Sequence, residues 1–140
     1  MNFLFDASAI LNAIKQYAEN SIIIFKKQYT INLAFYEIGN AVWKLVYREL
    51  STEEEAFSII NTIKNLWQLF NIISLKKEDL NDILQIAVKD SLTFYDALYL
   101  YYAIKNKIIL VSDDKKLRKT AESYVTVMTS LDLKIPREDS

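Results

Sequence analysis

The chain has 140 residues, 51% apolar and 25% charged, which suits one globular domain with its own core and excludes a disordered chain. It contains no cysteine and no histidine, which excludes disulfides, thiolate and ordinary zinc sites, cysteine nucleophiles and Ser-His-Asp catalysis. A net charge of −1, from 17 basic and 18 acidic residues, predicts no polyanion partner by itself; neutralising four acids leaves 14 against 17, enough for a basic rim around an acidic pocket.

Any enzymatic chemistry at neutral pH must then come from carboxylates, Lys, Tyr or Ser, or from a metal held by oxygen, and carboxylates select hard ions such as Mg²⁺ and Mn²⁺. The absence of cysteine fits a reducing, cytoplasmic location. No apolar run approaches the roughly 18 residues of a membrane span. The opening Met1-Asn2-Phe3-Leu4-Phe5-Asp6 carries no basic region or cleavage signal, so no signal peptide is expected.

One glycine and one proline leave the chain almost without punctuation, so periodicity has to define the elements. Phe3-Leu4-Phe5 reads as a buried strand ending at Asp6, and Ser8 is expected to cap a helix running to about Tyr17. The stretch Ser21–Tyr29 reads equally as strand or short helix. Thr30–Leu33 is a second strand, followed by a long amphipathic helix from about Ala34 to Glu49. Ser51, with Glu54 three residues on, suggests a capping box for a helix to about Phe70. Ile72–Leu75 is a third strand. Helices follow over Glu78–Lys89 and Thr93–Lys105, then a fourth strand over Ile108–Ser112. A short helix over Asp114–Ala121 and a fifth strand over Val125–Met128 complete residues 1–130, with residues 131–140 expected as a frayed tail. Strands alternating with helices predict a central, mainly parallel sheet of about five strands with helices on both faces.

Ligands of such sheets bind beyond the carboxyl ends of the strands, which directs attention to the acids there. Asp6 ends the first strand, and Asp113 and Asp114 follow the fourth. Glu37 lies near the start of its helix, sharing a face with Asn40, Lys44 and Arg48, while Ile38, Val42, Leu45 and Val46 form the opposite, buried stripe. Asp96 opens a helix of apolar and aromatic residues, where a charge needs a partner or a metal. Capping and helix-dipole roles compete with a functional one at each position. Asp6 is followed by Ser8 rather than a second Asp, which excludes the Asp-x-Asp of phospho-aspartyl phosphatases, and Ile10 breaks an Asp-x-Ser-x-Ser adhesion motif. There is no Gly-rich phosphate loop. Tyr95, Tyr99, Tyr101 and Tyr102 are read as packing. Lys115, Lys116, Arg118 and Lys119 are read as a solvated face, with a phosphate track as the alternative.

Four segments, in order, carry a resemblance: Phe5-Asp6-Ala7-Ser8, Tyr36-Glu37-Ile38-Gly39-Asn40-Ala41, Tyr95-Asp96-Ala97-Leu98-Tyr99-Leu100, and Leu110-Val111-Ser112-Asp113-Asp114-Lys115-Lys116-Leu117. Together they resemble the PIN-domain nucleases, in particular the VapC-type toxins of type II toxin–antitoxin pairs; residues 18–29 match least. The resemblance implies a three-layer α/β/α PIN-like fold and a Mg²⁺-dependent endoribonuclease, Mn²⁺ substituting. Asp6, Glu37 and Asp96 would be its principal metal ligands, with Asp114 acting through water and Asp113 as an auxiliary ligand or helix cap. Ser8, Asn40 and Ser112 would orient ligands or phosphate, and Lys44, Arg48, Lys115 and Lys116 would contact RNA or an antitoxin. RNA, a small cognate antitoxin and a homodimer partner, docked through an apolar patch on the Ile59–Phe70 helix, are the implied partners. A stand-alone RNA-processing nuclease and a catalytically silent PIN-like module are the alternatives.

Overall fold

A computed structural model describes residues 1–135. Five short strands form one parallel sheet: β1 (Phe3–Phe5), β2 (Tyr29–Ile31), β3 (Asn71–Ile73), β4 (Ile109–Val111) and β5 (Val127–Met128). Their order is β3-β2-β1-β4-β5. The chain therefore builds outward from β1 to β3, then returns to the other side of β1 for β4 and β5. That reversal makes the gap between β1 and β4 the switch point of the sheet, where an open crevice forms at the carboxyl edge. Phe3, Leu4 and Phe5 pair in register with Ile109, Leu110 and Val111. Leu4, Phe5, Leu110 and Val111 are fully buried, as apolar runs in a sheet covered on both faces must be.

Among the described residues, seven α-helices cover the faces: α1 (Ala7–Tyr17), α2 (Ser21–Phe25), α3 (Leu33–Tyr47), α4 (Glu53–Trp67), α5 (Leu80–Asp90), α6 (Phe94–Asn106) and α7 (Lys115–Ala121). Of the undecided segment 21–29, Ser21–Phe25 forms α2 and Tyr29 opens β2. Phe25 is fully buried against Phe5 and Phe70, with ring centroids 5.0 and 4.9 Å away, and this packing decides in favour of helix over a strand-prone sequence. With so little glycine, left-handed turns fall on other residues. Ser91 (φ 54°) caps α5 and Lys107 (φ 55°) caps α6, which end one residue beyond the expected Lys89 and Lys105.

Several expected details differ. Asp6, not Ser8, caps α1, accepting the Ala9 N–H. Thr52 with Glu55, not Ser51 with Glu54, starts α4. Of the apolar patch expected on the outside of α4, Ile63 and Leu66 are buried and Trp67 is exposed; further exposed aromatics lie at Tyr36, Trp43 and Tyr47 of α3 and Phe57 of α4. The segment after β5 does not fray at once. Ser130 is buried, and Tyr17 donates its hydroxyl to the carbonyls of Ser130 and Leu133, tying the chain to α1. Of the expected tail, residues 136–140 lie outside the described residues.

One buried acid went unnoticed in the sequence. Asp79, in a 3₁₀ turn before α5, accepts hydroxyls from Tyr101 and Tyr102, both at 2.8 Å, and the Lys105 ammonium at 3.0 Å. The knot fastens α5 to α6 and explains two of the four tyrosines as more than packing. Its donors, led by Lys105, hold the Asp79 carboxyl below its usual value of 3.8. Such a group stabilises the fold above its unfolded pKa and loses that contribution as pH falls through the folded value. Asp79→Asn is therefore expected to lower Tm at pH 7, and thermal melts down the pH scale should show the gap to wild type closing below about pH 4.

Candidate functional site

Asp6 leaves the end of β1 with its side chain only 5% exposed. Its Oδ1 accepts the Ser8 hydroxyl at 2.7 Å and the Ala9 N–H at 2.9 Å, and its Oδ2 accepts the Ser112 hydroxyl. The same two serines accept from the turn after β4: Ser8 Oγ takes the Asp113 N–H and Ser112 Oγ takes the Asp114 N–H, both at 3.0 Å. Two hydroxyls thus lock the end of β1 to the β4–α7 turn, across the switch point. Burial outweighs these donors and pushes the Asp6 carboxyl up to about 6, with the neighbouring Glu37 charge adding to the rise.

Glu37 lies in the second turn of α3, half-buried, and accepts the Tyr99 hydroxyl at 2.6 Å. Tyr99 is itself buried in α6, and its oxygen also receives the Ala7 N–H at the start of α1. Asp96 occupies the first turn of the same helix, its own N–H donated to the capping Thr93 hydroxyl. Burial raises the pKa of both Glu37 and Asp96; next in effect, Tyr99 lowers that of Glu37, while the nearby Asp114 raises that of Asp96 further. Asp114 completes the row, exposed at the N-terminus of α7. The four acids run from buried Asp6 through half-buried Glu37 and Asp96 to exposed Asp114, each within electrostatic reach of the next.

They form a row rather than a finished cage: among the described residues, no three acidic side chains are arranged to close on one ion. Unneutralised carboxylates repel, and Asp6 and Glu37 spend oxygens on protein hydroxyls. The donor set nonetheless fits a hard divalent cation, being all oxygen, anionic and half-desolvated.

The helix cap falls on the other of the two acids after β4. Asp114, not Asp113, caps α7, its Oδ1 accepting the Leu117 N–H at 2.9 Å. The backbone is still extended at Asp114, so Ser112 and Asp114 both turn toward the carboxylate row. Asp113 points away and holds Asn12 and Ser130. Asn40 is exposed and makes no hydrogen bond to the carboxylates. Lys44, Arg48, Lys115 and Lys116 are exposed too, with Lys116 near enough to Asp96 to lower its pKa. Sequence reading missed the Tyr99 hydroxyl as part of the site, although its position three residues after Asp96 puts both on neighbouring parts of one helix face.

Comparison with known proteins follows the same geometry. Residues 3–123 match the model of the PIN domain. Ribonuclease VapC3 and exonuclease VapC9, both from Pyrobaculum aerophilum, are each 32% identical to this chain. The first match spans 90% of this chain and 99% of the relative, the second 94% of both. The crystal structure of PAE2754 from the same organism superposes with a TM-score of 0.76 at 27% identity, over 94% of this chain and 92% of the other. VapBC2 of Rickettsia felis, solved on a promoter DNA fragment, shares the fold with a TM-score of 0.61 at 13% identity, over 92% and 98%.

Because Asp6 keeps its proton in the folded chain after the unfolded chain has lost it, stability falls as pH rises from 3.8 to about 6 and then levels off. The penalty is on the order of 3 kcal/mol. Asn retains the capping oxygen without the charge. Asp6→Asn, melted in EDTA, should exceed wild type in Tm at pH 7 and converge on it near pH 4.

Proposed function

The chain belongs to the PIN-domain family, and we propose that it hydrolyses RNA phosphodiester bonds as a divalent-metal-dependent endoribonuclease, the toxin of a type II toxin–antitoxin pair. One observation carries the reading: four carboxylates lined up at the β1/β4 switch point, in a chain with no histidine to do the work otherwise. Asp6, Glu37, Asp96 and Asp114 are the residues that would hold Mg²⁺ or Mn²⁺. Bound there, the cation supplies a water nucleophile at neutral pH and neutralises charge developing on the phosphate oxygens.

The chain's own residues prepare this site. Ser8 and Ser112 fix both oxygens of Asp6 and hold it against the β4–α7 turn. Tyr99 fixes one oxygen of Glu37, and the other accepts no hydrogen bond among the described residues. Lys116 stands beside Asp96 on the exposed side, where a phosphate backbone approaches. Lys44, Arg48 and Lys115 are exposed and would supply further contacts to RNA or to an antitoxin. The nuclease unit takes in the chain through Leu133, which packs on the core. A toxin nuclease must be restrained, so a small antitoxin is the implied partner, and a homodimer is the proposed oligomeric state. The name of one relative, an exonuclease, supports a second reading in which cleavage starts from an RNA end. Cleavage of a circular single-stranded RNA separates the two, since only an endonuclease opens it.

Asp96→Asn keeps shape and hydrogen bonding but loses the charge that binds metal. It is expected to abolish Mg²⁺- and Mn²⁺-dependent RNA cleavage. Mn²⁺ at about 100 times its dissociation constant should stabilise the wild type by roughly 2.7 kcal/mol, and much less in the double variant Asp6→Asn/Asp96→Asn. Equal shifts in the two proteins would sink the site.

Tyr99→Phe removes the hydroxyl that holds Glu37 and that also accepts the Ala7 N–H. Loss of such a supporting hydrogen bond costs about 10–100-fold in metal affinity or activity elsewhere. A weakening of that size is expected in Mn²⁺ titrations by calorimetry, with the far-UV spectrum unchanged.

A further inference from the structure

A cleft of about 520 Å³ opens beside the carboxylate row, between α1, the β4–α7 turn, α7 and the segment after β5. It shares a wall with the site. Asp113, which lines the cleft, donates its N–H to the same Ser8 hydroxyl that donates to Asp6. Its volume lies within the roughly 300–1,000 Å³ of small-ligand sites. We infer that this cleft is a subsite for the nucleotide that flanks the scissile phosphate of a single-stranded RNA, an inference that rests on the nuclease function proposed above.

The lining has the chemistry for one unpaired nucleotide. Lys15 and Arg118 bring two cations to it from α1 and α7. Lys15 is exposed, and Arg118 uses one guanidinium nitrogen on the Ser112 carbonyl, at 2.9 Å. Neither forms an ion pair among the described residues. Gln16 presents a side-chain amide, both donor and acceptor, of the kind that reads an exposed base edge.

The acids nearby are already engaged. Asp113 accepts the Ser130 N–H at 2.7 Å on Oδ1, and the Asn12 amide at 2.7 Å and the Ser130 hydroxyl at 2.6 Å on Oδ2. Asp132, near Arg118, accepts the N–H and hydroxyl of Thr129. A phosphate entering the cleft therefore meets Lys15 and the guanidinium donors of Arg118 that the Ser112 carbonyl leaves over, and carboxylates already turned to protein donors. Through Asp113 and Ser8 the cleft adjoins Asp6, so a strand crossing the carboxylates has a seat for its next unit. A duplex, with its bases paired and stacked, offers no unpaired edge to such a concave site.

Lys15→Ala is the informative variant, because Lys15 is exposed and makes no hydrogen bond or ion pair among the described residues, whereas truncating Arg118 would also release the Ser112 carbonyl. Binding of a labelled single-stranded RNA dodecamer of mixed sequence is measured against salt, in the Asp96→Asn background so that the probe survives. Lys89→Ala, an exposed position on α5, is the control. Losing one phosphate contact should reduce the slope of log affinity against log salt by about 0.7, equivalent to roughly fourfold weaker binding near 0.15 M salt. In the otherwise active protein, Lys15→Ala should raise KM and leave kcat unchanged. Gln16→Ala should alter the ranking of oligouridylate against oligoadenylate and leave the salt slope unchanged. If Lys15→Ala matches Lys89→Ala in slope and KM while the wild type cleaves RNA, the subsite is overturned and the nuclease reading stands. A wild type that neither binds nor cleaves the RNA with Mg²⁺ or Mn²⁺ removes both.

Discussion

A buried carboxylate holds this structure's functional end together. Asp6 cannot sit at 5% exposure without donors, and the donors it recruits tie three elements into one unit. Ser8 comes from α1, Ser112 from the end of β4, and the Ala9 amide from the first turn of α1. Through the same serines the amides of Asp113 and Asp114 are drawn in, so the turn that starts α7 is set by the acid that ends β1. Even so, burial leaves the carboxyl easier to protonate than a free aspartate. The site therefore stores an electrostatic cost that a divalent cation would relieve.

The same economy recurs along the row. Asp6 and Asp114 are helix caps, and Asp96 lies in a capped first turn. A local folding role thus does not exclude the functional role proposed for these acids. A cap sits where a strand gives way to a helix, and in a parallel sheet that place is the carboxyl edge, where ligands bind. The helix N-termini also bias the edge toward negative charge.

α6 is the element that sets the depth of the site. It buries Ala97, Leu98, Tyr99, Leu100, Tyr102 and Ala103, most of its circumference. Its first turn carries Asp96 to the carboxylates, Tyr99 reaches Glu37, and its far half is fastened to α5 through Asp79. An interior helix held at both ends places its polar atoms more firmly than a surface helix can.

The sequence by itself determined the alternation of strands and helices, the parallel sheet and the acids at strand and helix ends, because these follow from local periodicity and from residue chemistry at fixed spacing. It also determined what chemistry is absent, since a chain without His or Cys leaves oxygen ligands as its metal donors. Tertiary structure alone decided the rest. The pairing of β1 with β4 and the Tyr99–Glu37 bond join residues far apart in the chain, where no local pattern reaches. The helix at Ser21–Phe25 was settled by a buried phenylalanine, against a strand-prone run. Which of Asp113 and Asp114 caps α7 depended on where the backbone turns, and that was fixed by Ser8 and Ser112 reaching across from Asp6.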